Sequence, residues 1–307
     1  MNLQQLRILA EANRQNFNLT QVARALFISQ PGISKTIKEL EEELGFDLFL
    51  RHGKRIRGFT HAGKTVLSFA QEILNNVRNI QDVKCKLANE ESGALILATT
   101  HTQARYSLPG IISKFKKSFP KVQFVLHQSS PPEIVSLLDS GEADIGIATE
   151  SLINDPKFVT IPFYTWYHSI IVPKDHPLTK LNHVSLRQIS TYPLITYHKG
   201  FTGRGKIDSL FKEKNLEQNI VLEALDADVI KAYVSLNLGI GIIASMAYDA
   251  NLDKHLSLID GKDIFMKNVT LLAFRKGATL RGYALKFASL CLNGMPTEEI
   301  YEKISGY

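Results

Sequence analysis

The chain has 307 residues, 44% hydrophobic and 21% charged, with a mean hydropathy of −0.05. That composition excludes disordered, collagen-like and purely coiled-coil chains, and no apolar run approaches the roughly 18 residues that a membrane helix needs. The net charge is +6, with ten Lys/Arg against six Asp/Glu in residues 1–66 and twenty-six against twenty-four in residues 67–307, so the basic excess is concentrated in the first fifth of the chain.

The first 60 residues read as three helices and a hairpin. Leu3, Leu6, Ile8 and Leu9 form a helical apolar stripe that Asn16 to Asn18 interrupt. A short second helix follows Asn18 or Thr20, with Val22, Ala23 and Leu26 inward. Ser29 suits an N-cap and Pro31 a first helical turn, and Ile33, Ile37, Leu40 and Leu44 then repeat at three- and four-residue spacing up to Gly45. Two helices joined by so tight a turn have helix-turn-helix spacing. LFLRHGKRIRGFT (48–60) reads as a β-hairpin wing with a Gly-Lys-Arg tip.

A long helix begins near Thr60. Val66, Ala70, Ile73, Val77, Ile80, Lys84 and Leu87 alternate by four and three, the seam of a coiled coil, although an amphipathic helix packed on its own domain would also present such a stripe. Glu90 to Gly93 reads as a hinge. Beyond it, candidate strands at 95–99, 123–127, 145–148, 169–172, 194–196, 221–224, 240–243 and 270–274 alternate with helical stretches. This is an α/β pattern with mainly parallel sheets, long enough for two subdomains between which the chain crosses more than once.

Two segments carry the chemistry. In SQPGISKTIKELEEELG (29–45), Gln30 and Pro31 open a candidate recognition helix. Gln30 can bond a base edge, and Ser34, Lys35 and Lys38 share a face suited to phosphates. Arg51, Lys54, Arg55 and Arg57 of the wing would reach the sugar-phosphate backbone or the minor groove. The second segment, Thr99 to Gln103, follows a strand. Its hydroxyls, amide and free N–H groups can hold a small anion without a lysine. Thr149 ends another strand and Thr202 precedes a helix, so both fall at the carboxyl ends of strands, where ligands of open α/β sheets bind.

LTQVARALFISQPGISKTIKELEEELGFDLFLR (19–51) resembles the winged helix-turn-helix of LysR-type transcriptional regulators, and the likeness extends over the whole chain. It implies a winged helix-turn-helix at 1–59, a linker and dimerisation helix with a hinge at 60–92, and an effector-binding domain at 93–307. That domain would resemble a periplasmic binding protein, with one subdomain at 93–162 and 267–307 and the other at 163–266. TTHTQARY (99–106), FTGR (201–204), DADVIK (226–231) and GIGIIASMA (239–247) look like the members of that family that control cysteine biosynthesis and sulfur assimilation. In those members the positions matching Thr100, Thr102, Gln103, Thr149 and Thr202 line a site for N-acetylserine, O-acetylserine or anions such as sulfate and thiosulfate. His127, Gln128 and Ser129 are secondary candidates, and Trp166 either borders the cleft or only packs. Stretches 151–160 and 164–168 depart from the pattern, which leaves open a paralogous regulator responding to sulfate or adenosine phosphosulfate. The resemblance also implies a homodimer or homotetramer that binds promoter DNA, bends it according to the effector and contacts RNA polymerase.

Other classes find little support. No GxSxG, Walker A or dinucleotide fingerprint appears, so an enzyme with a DNA-binding head is not expected. The nine histidines form no helical metal pair, and Cys85 and Cys291 are too few for a disulfide framework, so neither a metal nor another cofactor is expected. The opening MNLQQLRI has no secretory pattern, which argues against an exported solute-binding protein and for a cytoplasmic location without membrane attachment.

Overall fold

The computed structural model describes residues 1–53, 55–87, 92–149, 152 and 155–305, and the chain divides into two compact units, Met1–Leu87 and Ala88–Tyr307. The first contains α1 (Leu3–Arg14), α2 (Leu19–Leu26), α3 (Gln30–Leu44), the hairpin strands β1 (Phe49–His52) and β2 (Arg55–Phe59), and α4 (His61–Leu87). The polar residues before the helices fix their starts. Asn2, Asn18 and Ser29 each accept a backbone N–H of the following turn, and Thr60 Oγ1 accepts from Gly63 at 2.9 Å. Gly63 is needed for contact, because a Cβ there would lie 2.0 Å from the Leu48 carbonyl oxygen. Leu6, Leu9, Val22, Ile33 and Ile37 form the core, and Phe49 and Phe59 of the hairpin stack beside it at 4.7 Å.

The expected seam of α4 divides into two parts. Leu67 and Ala70 are buried in the core of their own unit, and Val66 packs on it. The small winged unit thus uses the first turns of α4 to complete its own core. Phe69, Ile73 and Ile80 remain exposed, at 60%, 38% and 73%. The side chains of Lys84 and Leu87 and the expected hinge at Glu90 and Glu91 lie outside the described residues.

The second unit holds two five-stranded sheets among the described residues. In chain order its elements are β3 (Gly93–Thr99), α5 (Pro109–Ser118), β4 (Val122–Gln128), α6 (Pro131–Asp139), β5 (Ile145–Ala148), β6 (Phe158–Trp166) and β7 (His168–Pro173). Then follow α7 (Leu186–Ile189), β8 (Leu194–Tyr197), α8 (Arg204–Glu213), β9 (Ile220–Ala224), α9 (Ala227–Ser235), β10 (Ile240–Ala244), β11 (Leu256–Ile259), β12 (Asn268–Arg275), α10 (Gly282–Cys291) and α11 (Thr297–Ser305). The first sheet has the order β4-β3-β5-β12-β6 and the second β11-β7-β10-β8-β9.

The sheets are mixed rather than mainly parallel. β3 runs parallel to β4 and β5, and β8 to β9 and β10, with helices making the crossovers. β12 is antiparallel to β5 and β6, and β7 to β10 and β11. The antiparallel members include the strands that carry the chain between the sheets, where no crossover helix intervenes. The passage also comes later than residue 162: β6 stays in the first sheet through Trp166, and the chain passes to the second at Tyr167. β12 carries it back from Asn268.

Candidate functional site

In the first unit the opening turn of α3 and the hairpin form a concave surface. Gln30 and Arg55 line a cleft of about 460 Å³ together with Phe17, Asn18, Thr20 and Ile56. Gln30 is exposed, and its Nε2 donates to Ser34 Oγ at 3.1 Å. Pro31 is exposed in the first turn. Lys35 and Lys38 are exposed and lie 3.7 and 3.4 Å from Glu39 and Glu42, solvated pairs weak enough to exchange for phosphate. Arg57 is exposed on β2, and Lys54 lies outside the described residues. Arg51 is held by the Glu41 carboxylate at 2.6 Å instead of standing free. Phe27, 97% exposed in a left-handed turn before α3, carries no sequence signal beyond its place between two helices.

In the second unit the candidate residues gather at the carboxyl ends of strands. Thr100 follows β3, Ser129 follows β4, Thr149 follows β5 and Thr202 follows β8. Ser129 N–H bonds the Thr99 carbonyl at 2.9 Å, which places the ends of β3 and β4 side by side. After Thr102 the chain forms a π-helical turn over Gln103–Ser107, closed by Leu108 N–H on the Gln103 carbonyl at 3.1 Å.

Gln103 is a brace here. Its Nε2 donates to Thr270 Oγ1 at 3.3 Å, and its Oε1 accepts from Ser107 and Tyr164. Burial pushes the Tyr164 hydroxyl above its ordinary value, so it stays a protonated donor. Thr270 is the hub, also accepting Trp166 Nε1 at 3.1 Å and lying 3.5 Å from Thr149 Oγ1. Trp166 is 3% exposed and meets the His168 ring edge-on at 4.9 Å, so it packs and hydrogen-bonds within the wall. His168 Nε2 lies 2.8 Å from the Thr202 carbonyl, and Asn268 Nδ2 lies 3.3 Å from His168 Nδ1. Contacts therefore run from Thr149 after β5 through Thr270 to Trp166, whose ring meets His168, and from His168 to the Thr202 carbonyl.

Among the described residues, Thr102 Oγ1, Thr196 Oγ1 and Asn268 Oδ1, on residues at most 1% exposed, lack a hydrogen-bond partner, as does His101 Nδ1. Buried polar atoms are ordinarily satisfied, so such a set marks a place for a ligand or for water. Arg204 does not offer a free cation, since Asp208 and Glu223 hold it at 2.7 Å each. Arg204 in turn holds the Glu223 carboxyl below its ordinary value.

A further cluster joins the two sheets. Tyr106 donates its hydroxyl to Asp228 of α9 at 2.6 Å, while Arg105 and His101 stand 3.7 and 3.9 Å from the same carboxylate. Burial raises the Asp228 carboxyl, but the Tyr106 hydroxyl and Lys231 outweigh it and leave the group below its ordinary value. His101, Asp226 and Asp228 place ligand-type atoms within 4.8 Å of one another. Asp228 is already engaged by Tyr106, Arg105 and Lys231, and Asp226 caps α9, so the cluster is one of ion pairs and caps.

Sequence reasoning missed His168, Asn268, Thr270, Tyr164 and Asp228. Asp228 stands inside the quoted DADVIK segment. The others lie on strands whose partners are 34 to 167 residues distant, and a local pattern does not register such separations.

A winged helix-turn-helix followed by a two-sheet ligand-binding unit defines a ligand-responsive transcriptional regulator. Residues 3–64 match the model of the bacterial regulatory helix-turn-helix protein, lysR family, and residues 88–296 that of the LysR substrate binding domain, so the chain belongs to the LysR family of DNA-binding transcriptional regulators. It is 47% identical over 304 residues to the transcriptional regulator Cbl of Escherichia coli, covering 99% of this chain and 96% of that one. It is 48% identical over 290 residues to SsuR of Burkholderia cenocepacia, covering 94% of each, and 45% identical over 306 residues to CysB of that organism, covering 100% and 98%. Among solved structures, the cofactor-binding domain of Cbl matches with a TM-score of 0.68 and 46% identity, over 70% of this chain and 95% of that one. No helix among the described residues is long and apolar enough to cross a membrane.

Proposed function

We propose that the protein activates genes of sulfur assimilation and cysteine biosynthesis when a small acidic metabolite, N-acetylserine or O-acetylserine, occupies the junction between its two sheets. The observation that carries this is the buried hydroxyl set at the strand ends, with Thr102 Oγ1 lacking a partner and Thr149 facing Thr270. Neutral hydroxyls and backbone N–H groups in a desolvated pocket suit a small anion. Thr100, Thr102, Thr149 and Thr202 would contact the effector, Ser129 would border it, and Gln103 would hold the wall. Gln30 would read a base edge, and Ser34, Lys35, Lys38, Arg55 and Arg57 would contact the backbone of promoter DNA. Phe69, Ile73 and Ile80 would pair with a second chain, giving the homodimer from which a tetramer is built. Effector binding would then change how the assembly bends DNA and meets RNA polymerase, in the cytoplasm and with no catalytic step.

The identities to Cbl and SsuR, slightly above that to CysB, favour a second reading. It is a paralogous regulator of alternative sulfur sources that responds to sulfate, thiosulfate or adenosine phosphosulfate. Calorimetric titration of the full chain with each compound, followed by a promoter gel-shift with and without the one that binds, separates the two. Binding of none would overturn both.

A further inference from the structure

His168 is 1% exposed, and burial holds its imidazole down at about 4, so the ring is neutral near pH 7. The bonds it makes fix its tautomer. A carbonyl can only accept, so the ring nitrogen 2.8 Å from Thr202 O carries the hydrogen. Nδ1 is then a bare acceptor, and the group 3.3 Å from it must be the Asn268 amide nitrogen. Rotating the amide would set its oxygen against a lone pair. The nitrogen also faces the Met266 carbonyl at 3.5 Å. Among the described residues Asn268 Oδ1 consequently has no hydrogen-bond partner, on a residue with 0% exposure.

That oxygen packs against the turn that carries Thr202. A Cβ on Gly203 would fall 2.8 Å from it and 2.7 Å from the His168 ring, so glycine lets the turn approach this closely. Thr202 is held beside it at φ 44, a conformation that a β-branched residue adopts only under constraint, and the His168 bond to its carbonyl supplies one. Thr102 and Thr196 also have unpartnered oxygens, but a hydroxyl can rotate to donate or accept. Asn268 Oδ1 can only accept.

We infer that the effector presents a hydrogen-bond donor, an N–H or O–H, to Asn268 Oδ1, and that this contact selects an acylated hydroxy amino acid over a fully deprotonated inorganic oxyanion. The inference rests on the effector reading above and narrows it. Asn268 is a specificity residue, and His168 is the positioning residue that orients it. A sulfate dianion would bring a second acceptor against the first and leave both unpaired.

Calorimetry on the full-length protein tests this with three compounds that share the carboxylate: N-acetyl-L-serine, N-acetyl-L-alanine without the hydroxyl, and 2-O-acetylglycerate without the N–H. One of the two donor-deficient compounds should bind about tenfold more weakly than N-acetylserine. Asn268→Leu should erase that gap by weakening N-acetylserine selectively. Should Asn268→Leu not fold, His168→Phe frees the amide to rotate and should narrow the same gap. Equal affinity for all three compounds in the wild type, or a gap unchanged in the variant that folds, overturns the inference. Absence of binding by all three and by O-acetylserine overturns the acylated amino acid reading itself, and this inference with it.

Discussion

Glu41 and Arg51 are joined at 2.6 Å across the base of the hairpin, and the same carboxylate accepts the backbone N–H of Leu48 at 2.9 Å and of Phe49 at 3.2 Å. One side chain thus ties the last turns of α3 to β1 and fixes the wing relative to the recognition helix. Glu41 is 8% exposed, although its neighbours Glu39, Glu42 and Glu43 are exposed. Burial of a carboxylate is tolerated there because it accepts three donors.

Glu41→Ala should therefore leave two buried N–H groups unpaired and destabilise the winged unit by roughly 2 kcal/mol or more. Differential scanning calorimetry should show an earlier transition for that unit, with the effector-domain transition unmoved. Gel-shift affinity should fall for all DNA sequences alike. An unchanged melt would show that these bonds add nothing to the fold.

The legible parts of the chain were those with local causes. Ser29, Pro31 and Gly45 bracket α3 as their chemistry dictates, and helical spacing located the core of the first unit. The threonines at the strand ends followed from the rule for open α/β sheets. The mixed sheets were illegible because strand direction depends on where the chain re-enters a sheet, which β6 and β12 decide through pairing more than a hundred residues apart. The bracing role of Gln103 was illegible, since Tyr164 and Thr270 have no sequence proximity to it.

The buried imidazole gives the second unit an acid sensitivity of defined sign. His168 is depressed to about 4 in the fold against an ordinary value of 6.5, so the unfolded chain takes up a proton that the folded chain refuses. Stability from this group is full above about pH 6.5 and is lost as pH falls toward about 4. The difference between these two values corresponds to about 3 kcal/mol at most. Melting of the second unit between pH 7 and 4.5 should show this decline, and His168→Phe should flatten it. Equal slopes for both proteins would contradict a neutral buried ring.

The exposed stripe on α4 predicts an assembly defect. Ile73→Asp together with Ile80→Asp places carboxylates where two chains would meet, and unpaired buried charges are too costly to keep. Light scattering should then report smaller species, while the second unit still melts as in the wild type. Full assembly of the double variant would place the interface elsewhere.

The bridge between sheets should tune affinity without touching ligand. Tyr106→Phe removes the hydroxyl 2.6 Å from Asp228 and keeps the ring. With Asp228 partly exposed, the loss should be about 1 kcal/mol, near a fivefold drop in effector affinity, expressed mainly as faster release. Stopped-flow dissociation measures it. Asp228→Asn should have a similar effect, and the double variant should fall short of the sum because both changes break one contact. Strict additivity would show that the two side chains do not act as a pair.

Thr102→Val gives the sharpest test of the ligand site. The hydroxyl is buried and has no well-formed hydrogen bond among the described residues, so removing it costs the fold little. Valine keeps the volume and the β-branching, so the melting temperature should hold or rise. The bond to a charged effector, by contrast, is worth roughly 1.5–3 kcal/mol. At about 1.4 kcal/mol per decade, affinity should fall roughly ten- to a hundredfold. Thr202→Val on the facing sheet should behave alike, since valine meets the left-handed turn with a similar penalty and His168 holds the same backbone carbonyl. DNA binding without effector should be unchanged in both, because Gln30, Ser34 and the wing belong to the other unit. Both variants should fail to switch at ordinary effector concentrations and recover partly at high ones. Wild-type affinity in both, measured calorimetrically, would remove these threonines from the site.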